Sequence, residues 1–366
     1  MTRHAEQANV AGPPGGGPAP AGQGSPGRPG RVALLLPGQG AQYPRMAAGL
    51  YDVEPVFTAA MDEVFAALGP SGRALRSHWL AEESPRSLDA AERAQPLLFA
   101  VDHALGRLVL DWGAEPVALL GHSVGEMAAA ALAGVFSAAD AAHLVVDRVR
   151  RVAAAPAGGM LAVAASVAQV EPYLGPDVSV GAVNAPRHTV LAGPRRALGE
   201  AAERLEAAGL TSRPVASDTA FHSPVLGPCL EGARDVVAAV PRRAPRITVY
   251  SGRTAAPLRA DEAADPGFWA AQPMTPVLFW PALDALLDAP GGAGAEPLVL
   301  VEAGPGRTLS SIARRHPAVR RGGGCVVPLL PGRPGGAAAD RAALAEAVDA
   351  LRAAGALAGR RAPVLP

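Results

Sequence analysis

Short unbroken apolar runs alternate with longer stretches of helical period along most of this chain. The first run, VALLL after Arg31, reads as a buried strand that feeds the Gly-rich turn PGQGAQ. Residues 44–112 then read as mainly helical. PVALLGHS carries a second apolar strand and ends at a serine flanked by glycine, and VGEMAAAALAG behind it reads as a helix stopped at Gly134. The segment AADAAHLVVDRVRRVA (138–153) predicts an amphipathic helix with Ala141, Leu144, Val145, Val149 and Val152 on one stripe.

From Gly159 to Ser217 the texture changes. MLAVAAS, VSVGAVN and HTVLAG are strand-like, RRALGEAAERLEAAG is a clear helix, and VEPYL is a weaker one. That order suits a small ferredoxin-like insertion at 159–217. ITVYSG, LVLVEAG and CVVPLL are further short strands, and RAALAEAVDALRAAGAL is a last amphipathic helix. Strands alternating with helices predict an α/β class with a mainly parallel central sheet, built from 31–158 and 218–366. Residues 1–30 are rich in Gly, Pro and Ala and read as a disordered tail.

Composition narrows the chemistry. The chain has 366 residues, and all 33 of its basic residues are arginine. With no lysine, Schiff-base catalysis and a P-loop lysine are excluded. The net charge of zero argues against a nucleic-acid partner. Two distant cysteines, Cys229 and Cys325, make neither a disulfide framework nor a zinc site, and the 8 histidines lack metal-ligand spacing. There is no secretory leader pattern and no apolar run long enough for a membrane, so a cytoplasmic protein is expected.

Three residues stand out. Gly121-His122-Ser123-Val124-Gly125 matches G-x-S-x-G between a strand and a helix, a context that exposes a serine hydroxyl at the top of a sheet and at a helix N-terminus. Serine needs a base, and His222 in Ala220-Phe221-His222-Ser223-Pro224 is the candidate. His103, His143, His188 and His316 have no better local claim, and His122 reads as a support. Arg148 projects from the middle of the apolar stripe of its helix, whereas Arg150 and Arg151 read as solvated. An inward guanidinium needs an anion, either an internal carboxylate such as Glu302 or the carboxylate of a substrate.

Taken together, the motifs resemble the malonyl-CoA:acyl carrier protein transacylases, and more closely the acyltransferase domains of polyketide synthases. The resemblance covers about residues 31–330. It rests on LPGQGAQ at 36–42, Ala94-Gln95-Pro96, GHSVGE at 121–126, Arg148 placed 25 residues after the serine, NAP at 184–186, AFHSP at 220–224 and EAGPGRTL at 302–309. It implies an α/β-hydrolase-like large subdomain. It also implies a Ser123 nucleophile with His222 as base, and an oxyanion hole from the N–H groups of Gln39 and Val124. Arg148 would hold the free carboxylate of the acyl group with help from Gln95, and Asn184 would lie on the cleft side of the insertion. The imidazole would be supported by backbone carbonyls, for which the turn Gly304–Gly306 is the candidate. Phe221 and Val124 resemble malonyl-preferring members. The segment after Arg148, the YSGRT stretch and Thr219 depart from the family pattern.

The implied reaction needs no bound cofactor and no metal. Malonyl-CoA is the donor substrate, and a phosphopantetheinylated acyl carrier protein is the partner in polyketide biosynthesis. The Met start and the lack of other segments suggest a free-standing enzyme acting in trans. Arg314, Arg315, Arg320 and Arg321 form one candidate docking cluster for an acidic carrier, and Arg242, Arg243 and Arg246 another. Two rivals stay open. A carrier-directed acyl hydrolase or esterase would use the same dyad, and a docking module would keep the fold without the chemistry.

Overall fold

The computed structural model describes residues 30–82, 88–289 and 298–357; the tail expected at the N-terminus lies outside them, apart from Gly30. Six strands form the central sheet: β1 (Arg31–Leu36), β2 (Pro116–Gly121), β7 (Thr248–Ser251), β8 (Ala256–Pro257), β9 (Leu298–Glu302) and β10 (Gly324–Pro328). Their order is β10-β9-β1-β2-β7-β8. Every pairing is parallel except that of β7 with β8.

The sequence explains why β1 and β2 lie inside. Along β1, Val32, Leu34 and Leu36 point into the larger core and Ala33 and Leu35 into a second core on the opposite face. A strand covered by helices on both faces reads as a continuous apolar run, the pattern seen at VALLL. The larger core takes the helices Ala91–Asp111, Val124–Leu132 and Ala138–Val152. The last of these starts at Ser137, whose hydroxyl accepts from the Asp140 N–H. All five residues of its predicted stripe are buried.

A second, antiparallel sheet comprises β3 (Gly158–Val163), β4 (Ser179–Ala185), β5 (His188–Pro194) and β6 (Ser212–Val215), in the order β4-β5-β3-β6. With the helix Arg195–Ala207 between β5 and β6, this is the ferredoxin-like arrangement read from the sequence. One face packs Leu161, Val163 and Leu191 against Leu198, Ala201 and Leu205 of that helix. The other face carries Met160, Ala162, Ala182 and Val190, which line a cleft shared with the large sheet. No helix among the described residues is long and apolar enough to cross a membrane.

Candidate active site

The site is assembled at the C-terminal ends of β1 and β2, where an open parallel sheet offers a crevice. Ser123 follows β2 and precedes the helix Val124–Leu132, in a strained conformation with φ 54 and ψ −115. Positive φ costs a non-glycine residue energy and persists only where surrounding packing imposes it. That packing comes from its glycine neighbours. A Cβ at Gly125 would stand 2.1 Å from the Leu36 carbonyl oxygen, and one at Gly121 2.2 Å from the Glu126 nitrogen. Without side chains at both positions the helix N-terminus closes onto the strand ends. Val124 opens that helix, so its N–H has no acceptor within it.

Ser123 Oγ lies 2.7 Å from His222 Nε2. His222 arrives from 99 residues away, also at positive φ (62). Its backbone N–H donates to the Pro273 carbonyl at 2.7 Å, and its Nδ1 faces the Thr275 carbonyl oxygen at 2.9 Å. A carbonyl only accepts, so Nδ1 carries the proton and Nε2 is left with a lone pair toward the serine hydroxyl. Burial, with lesser contributions from His122 and Arg148, pushes the imidazole down to about 3, against the hydrogen bonds to Thr275 and Gln272. His222 is therefore neutral across the ordinary pH range and able to take a proton.

The support for the imidazole corrects the sequence expectation. The turn Gly304–Gly306 does not reach His222. Gly304 packs against Pro37 and Asp102, where a Cβ would meet Pro37 Cδ at 2.3 Å and Asp102 Oδ1 at 2.4 Å. The turn follows β9, on the β1 side of the site, and it backs the loop that carries Gln39. The supporting carbonyl belongs to Thr275, a backbone group that any residue supplies and that left no mark in the sequence.

Arg148 does not pair with Glu302. That carboxylate is fully buried and caps the helix Thr308–Ala313, accepting from the Leu309 and Ser310 N–H groups at 3.0 and 2.7 Å. Arg148 instead donates to two neutral amides, through Nη2 to Gln95 Oε1 at 2.8 Å and through Nη1 to Gln272 Oε1. Its Nε is buried without a partner among the described residues. Because a guanidinium only donates, both glutamine oxygens must face it and both NH2 groups must face away. Gln95 Nε2 accordingly donates to Gln39 Oε1 at 3.0 Å, and Gln39 Nε2 to the Asp89 carbonyl at 3.1 Å. Gln272 Nε2 donates to the Ser123 carbonyl and to Glu126 Oε2, each at 3.0 Å.

The cleft above this network holds about 400 Å³ and is lined by Gln39, Gln95, Ser123, Phe221 and His222 on one side and by Met160 and Val190 on the other. Arg148 is not in its lining; Gln95 stands between the guanidinium and the cleft. Asn184 is in the lining and accepts from His122 Nε2 at 2.9 Å, which ties β4 to the serine turn. Phe221 is buried beside His222. The structure thus brings Gln39, Gln95, His122, Ser123, Asn184, Phe221 and His222 to one cleft, with Val124 directly behind the serine and Arg148 one residue further in. Sequence reasoning missed Gln272, Thr275 and Glu126. A glutamine buried among apolar neighbours was a signal for Gln272, and Glu126 stood inside the GHSVGE motif without a role.

The arrangement is a hydrogen-bonded Ser–His pair in a part-apolar cleft, with a cation two side chains away. The chain matches the acyl transferase domain family over residues 34–318. It is 38% identical over 288 residues to a phenolphthiocerol/phthiocerol polyketide synthase polypeptide of Mycobacterium tuberculosis, an alignment covering 78% of this chain and 19% of that protein. The chain therefore spans about a fifth of that relative's length. Among solved structures, it superposes on the acyltransferase domain of SpnD in complex with 2-(pent-4-yn-1-yl)malonyl with a TM-score of 0.82, at 34% identity over 92% of this chain and 79% of that one. FabD from Acinetobacter baumannii matches with a TM-score of 0.77, at 25% identity over 89% and 100%.

Proposed function

The chain belongs to the acyl transferase domain family, and from that premise we propose that it moves a malonyl group, or another acyl group bearing a free carboxylate, from coenzyme A to the phosphopantetheine thiol of an acyl carrier protein in polyketide assembly. One observation carries the reading. The Ser123–His222 pair sits in a cleft whose polar end leads through Gln95 to a guanidinium that, among the described residues, is held by neutral amides. A hydrolase acting on varied acyl chains has no use for such a cation.

In this scheme Ser123 Oγ attacks the thioester carbonyl and its proton passes to His222 Nε2. The oxyanion takes hydrogen bonds from the N–H groups of Gln39 and Val124, the second at a helix N-terminus. Collapse breaks the C–S bond, and the CoA thiolate leaves with the proton from His222. The carrier thiol then attacks the seryl ester, His222 again accepting and returning one proton. Coenzyme A is a substrate here, not a resident cofactor. The carboxylate of the acyl group displaces Gln95 Oε1 from Arg148, exchanging a neutral acceptor for a charged one. Phe221 fills space beside the reacting centre and favours malonyl over larger α-substituents by about 1–3 kcal/mol.

For the carrier, the exposed arginines Arg314, Arg315, Arg320 and Arg321 are the better of the two clusters. Arg315 acts electrostatically on His188, which lines the cleft. Arg242 is occupied by the carbonyls of Val237, Val240 and Ala264. The relative SpnD, with its substituted malonyl, supports the carboxyacyl class.

The test is intact-protein mass spectrometry after brief exposure to mixed malonyl-, methylmalonyl- and acetyl-CoA, followed by peptide mapping. A malonyl adduct on Ser123, absent in Ser123→Ala, is expected. An adduct elsewhere, a dominant acetyl adduct, or fast CoA release to water without acceptor would overturn the proposal.

A further inference from the structure

Glu126 is buried at 3% exposure on the first turn behind the nucleophile. Among the described residues its carboxyl group is bonded by two side chains that can donate. Ser251 Oγ lies 2.6 Å from Oε1, and Gln272 Nε2 lies 3.0 Å from Oε2. Ser251 Oγ itself accepts from the Arg253 N–H at 3.0 Å, which leaves its own hydrogen free to go to Glu126. Burial raises the pKa of this carboxyl, against the hydrogen bonds from Ser251 and Gln272 and the charge of Arg253; Gln272 Nε2 can only donate to it, and Ser251 has a hydrogen to give. Two such donors suit the carboxylate form. No arginine or histidine forms an ion pair with it among the described residues.

Arg148 has the converse problem, a charged group inside the protein held by two amide oxygens and no anion. The two are joined by one side chain. Gln272 presents its oxygen to Arg148 and its NH2 to Glu126. The amide dipole therefore lies along the line from cation to anion, which strengthens both hydrogen bonds. A direct salt bridge would neutralise the guanidinium and occupy its fork. Spaced by an amide, the carboxylate keeps Arg148 charged and leaves Nη2 exchangeable toward the cleft.

We propose that Glu126 is the built-in counter-charge of Arg148, spaced by Gln272 so that a substrate carboxylate is gripped loosely enough to be passed on. The inference rests on the reading of Arg148 as the carboxylate site. Its logic is kinetic. Grip that is equal in ground and transition states lowers KM without raising kcat. A transferase that binds the carboxylate too firmly also holds back the acyl group it must hand over. The negative charge of Glu126, fixed behind the arginine, opposes an incoming carboxylate and limits that grip.

The experiment compares Ser123 acylation by malonyl-CoA and acetyl-CoA in the full chain, in Glu126→Gln, in Arg148→Ala and in the double variant. Removing the resident charge while keeping the shape should lower KM for malonyl-CoA about tenfold, equivalent to about 1.4 kcal/mol. The change in malonyl KM is read against the acetyl KM of the same variant, so that any loss shared by both substrates through Gln272 cancels. In the Arg148→Ala background the same change should leave malonyl KM unmoved. A purely structural role would instead change both substrates alike. Glu126→Met, uncharged and of similar length, gives the same readout if Glu126→Gln does not accumulate folded. An unchanged or raised malonyl KM in the Glu126 variant overturns this inference while leaving the carboxylate site standing, provided Arg148→Ala is selective. Equal losses on both substrates in Arg148→Ala remove the carboxylate site, and this inference with it.

Discussion

Replacing Arg148 by alanine separates recognition from chemistry. Among the described residues the guanidinium bonds to Gln95 and Gln272 alone, so a malonyl carboxylate would add a charged partner. Losing one side of a desolvated, hydrogen-bonded charge pair costs about 2–5 kcal/mol. At about 1.4 kcal/mol per decade this is roughly 30- to 5,000-fold in kcat/KM for malonyl-CoA. Acetyl-CoA has no carboxylate and escapes that loss. The variant also strands two buried amide oxygens, at about 1–3 kcal/mol of stability each. That penalty lowers the folded fraction for both substrates equally, so the ratio of the two rates is the quantity to read. Initial rates of Ser123 acylation below KM, followed by mass spectrometry, should show the malonyl rate collapsing and the acetyl rate falling no more than about threefold. Equal falls would refute the reasoning, because they would make Arg148 a brace for Gln95 and Gln272 rather than a receptor for anions.

Acid should act on stability before it acts on the catalytic base. Burial holds His222 at about 3 and His103 at about 4. Each therefore stays neutral in the fold while its unfolded counterpart, near 6.5, takes up a proton. Stability from these groups is fully present above about pH 6.5 and is lost as pH falls toward their folded values, by about 1.4 kcal/mol per histidine per unit. Melting temperatures should drop steadily over that range while kcat/KM of the folded fraction stays flat; an activity limb near 6.5 with constant melting temperature would contradict this. A third prediction concerns Asp102, which is fully buried with both oxygens unpaired among the described residues and is raised well above its usual range by burial and then by Glu302. The folded protein holds a proton there that the unfolded chain releases above about pH 4, so stability falls as pH rises from that point. Asp102→Asn should melt higher than the parent at pH 8, with the difference shrinking toward pH 4; a variant less stable at every pH would argue for a hidden partner.

Much of the site was legible residue by residue. The serine was marked by its flanking glycines, which packing requires at Gly121 and Gly125. Arg148 was marked by a charge placed on an apolar stripe, and that stripe is buried. Of its partners, Gln95 was set beside it by the family resemblance, while Gln272 was not found. The sequence offered Glu302 as an internal acid, but Glu302 is used by the N–H groups of Leu309 and Ser310. Nothing local distinguishes a carboxylate that caps a helix from one that pairs with a distant cation. The carbonyl that orients His222 was invisible because any residue at 275 supplies one.

What the chain determined alone is what short-range physics encodes. Apolar runs of strand length gave the two-faced strands β1 and β9, helical stripes gave the flanking helices, and the glycine-flanked serine gave the turn at the C-terminal end of β2. The tertiary structure decided which groups meet across 99 residues between Ser123 and His222 and across 124 between Arg148 and Gln272. It also decided that the cation faces neutral amides rather than an acid. The reason is that hydrogen-bond partnership depends on position to within an ångström, whereas a hydrophobic pattern records only which side of an element faces inward.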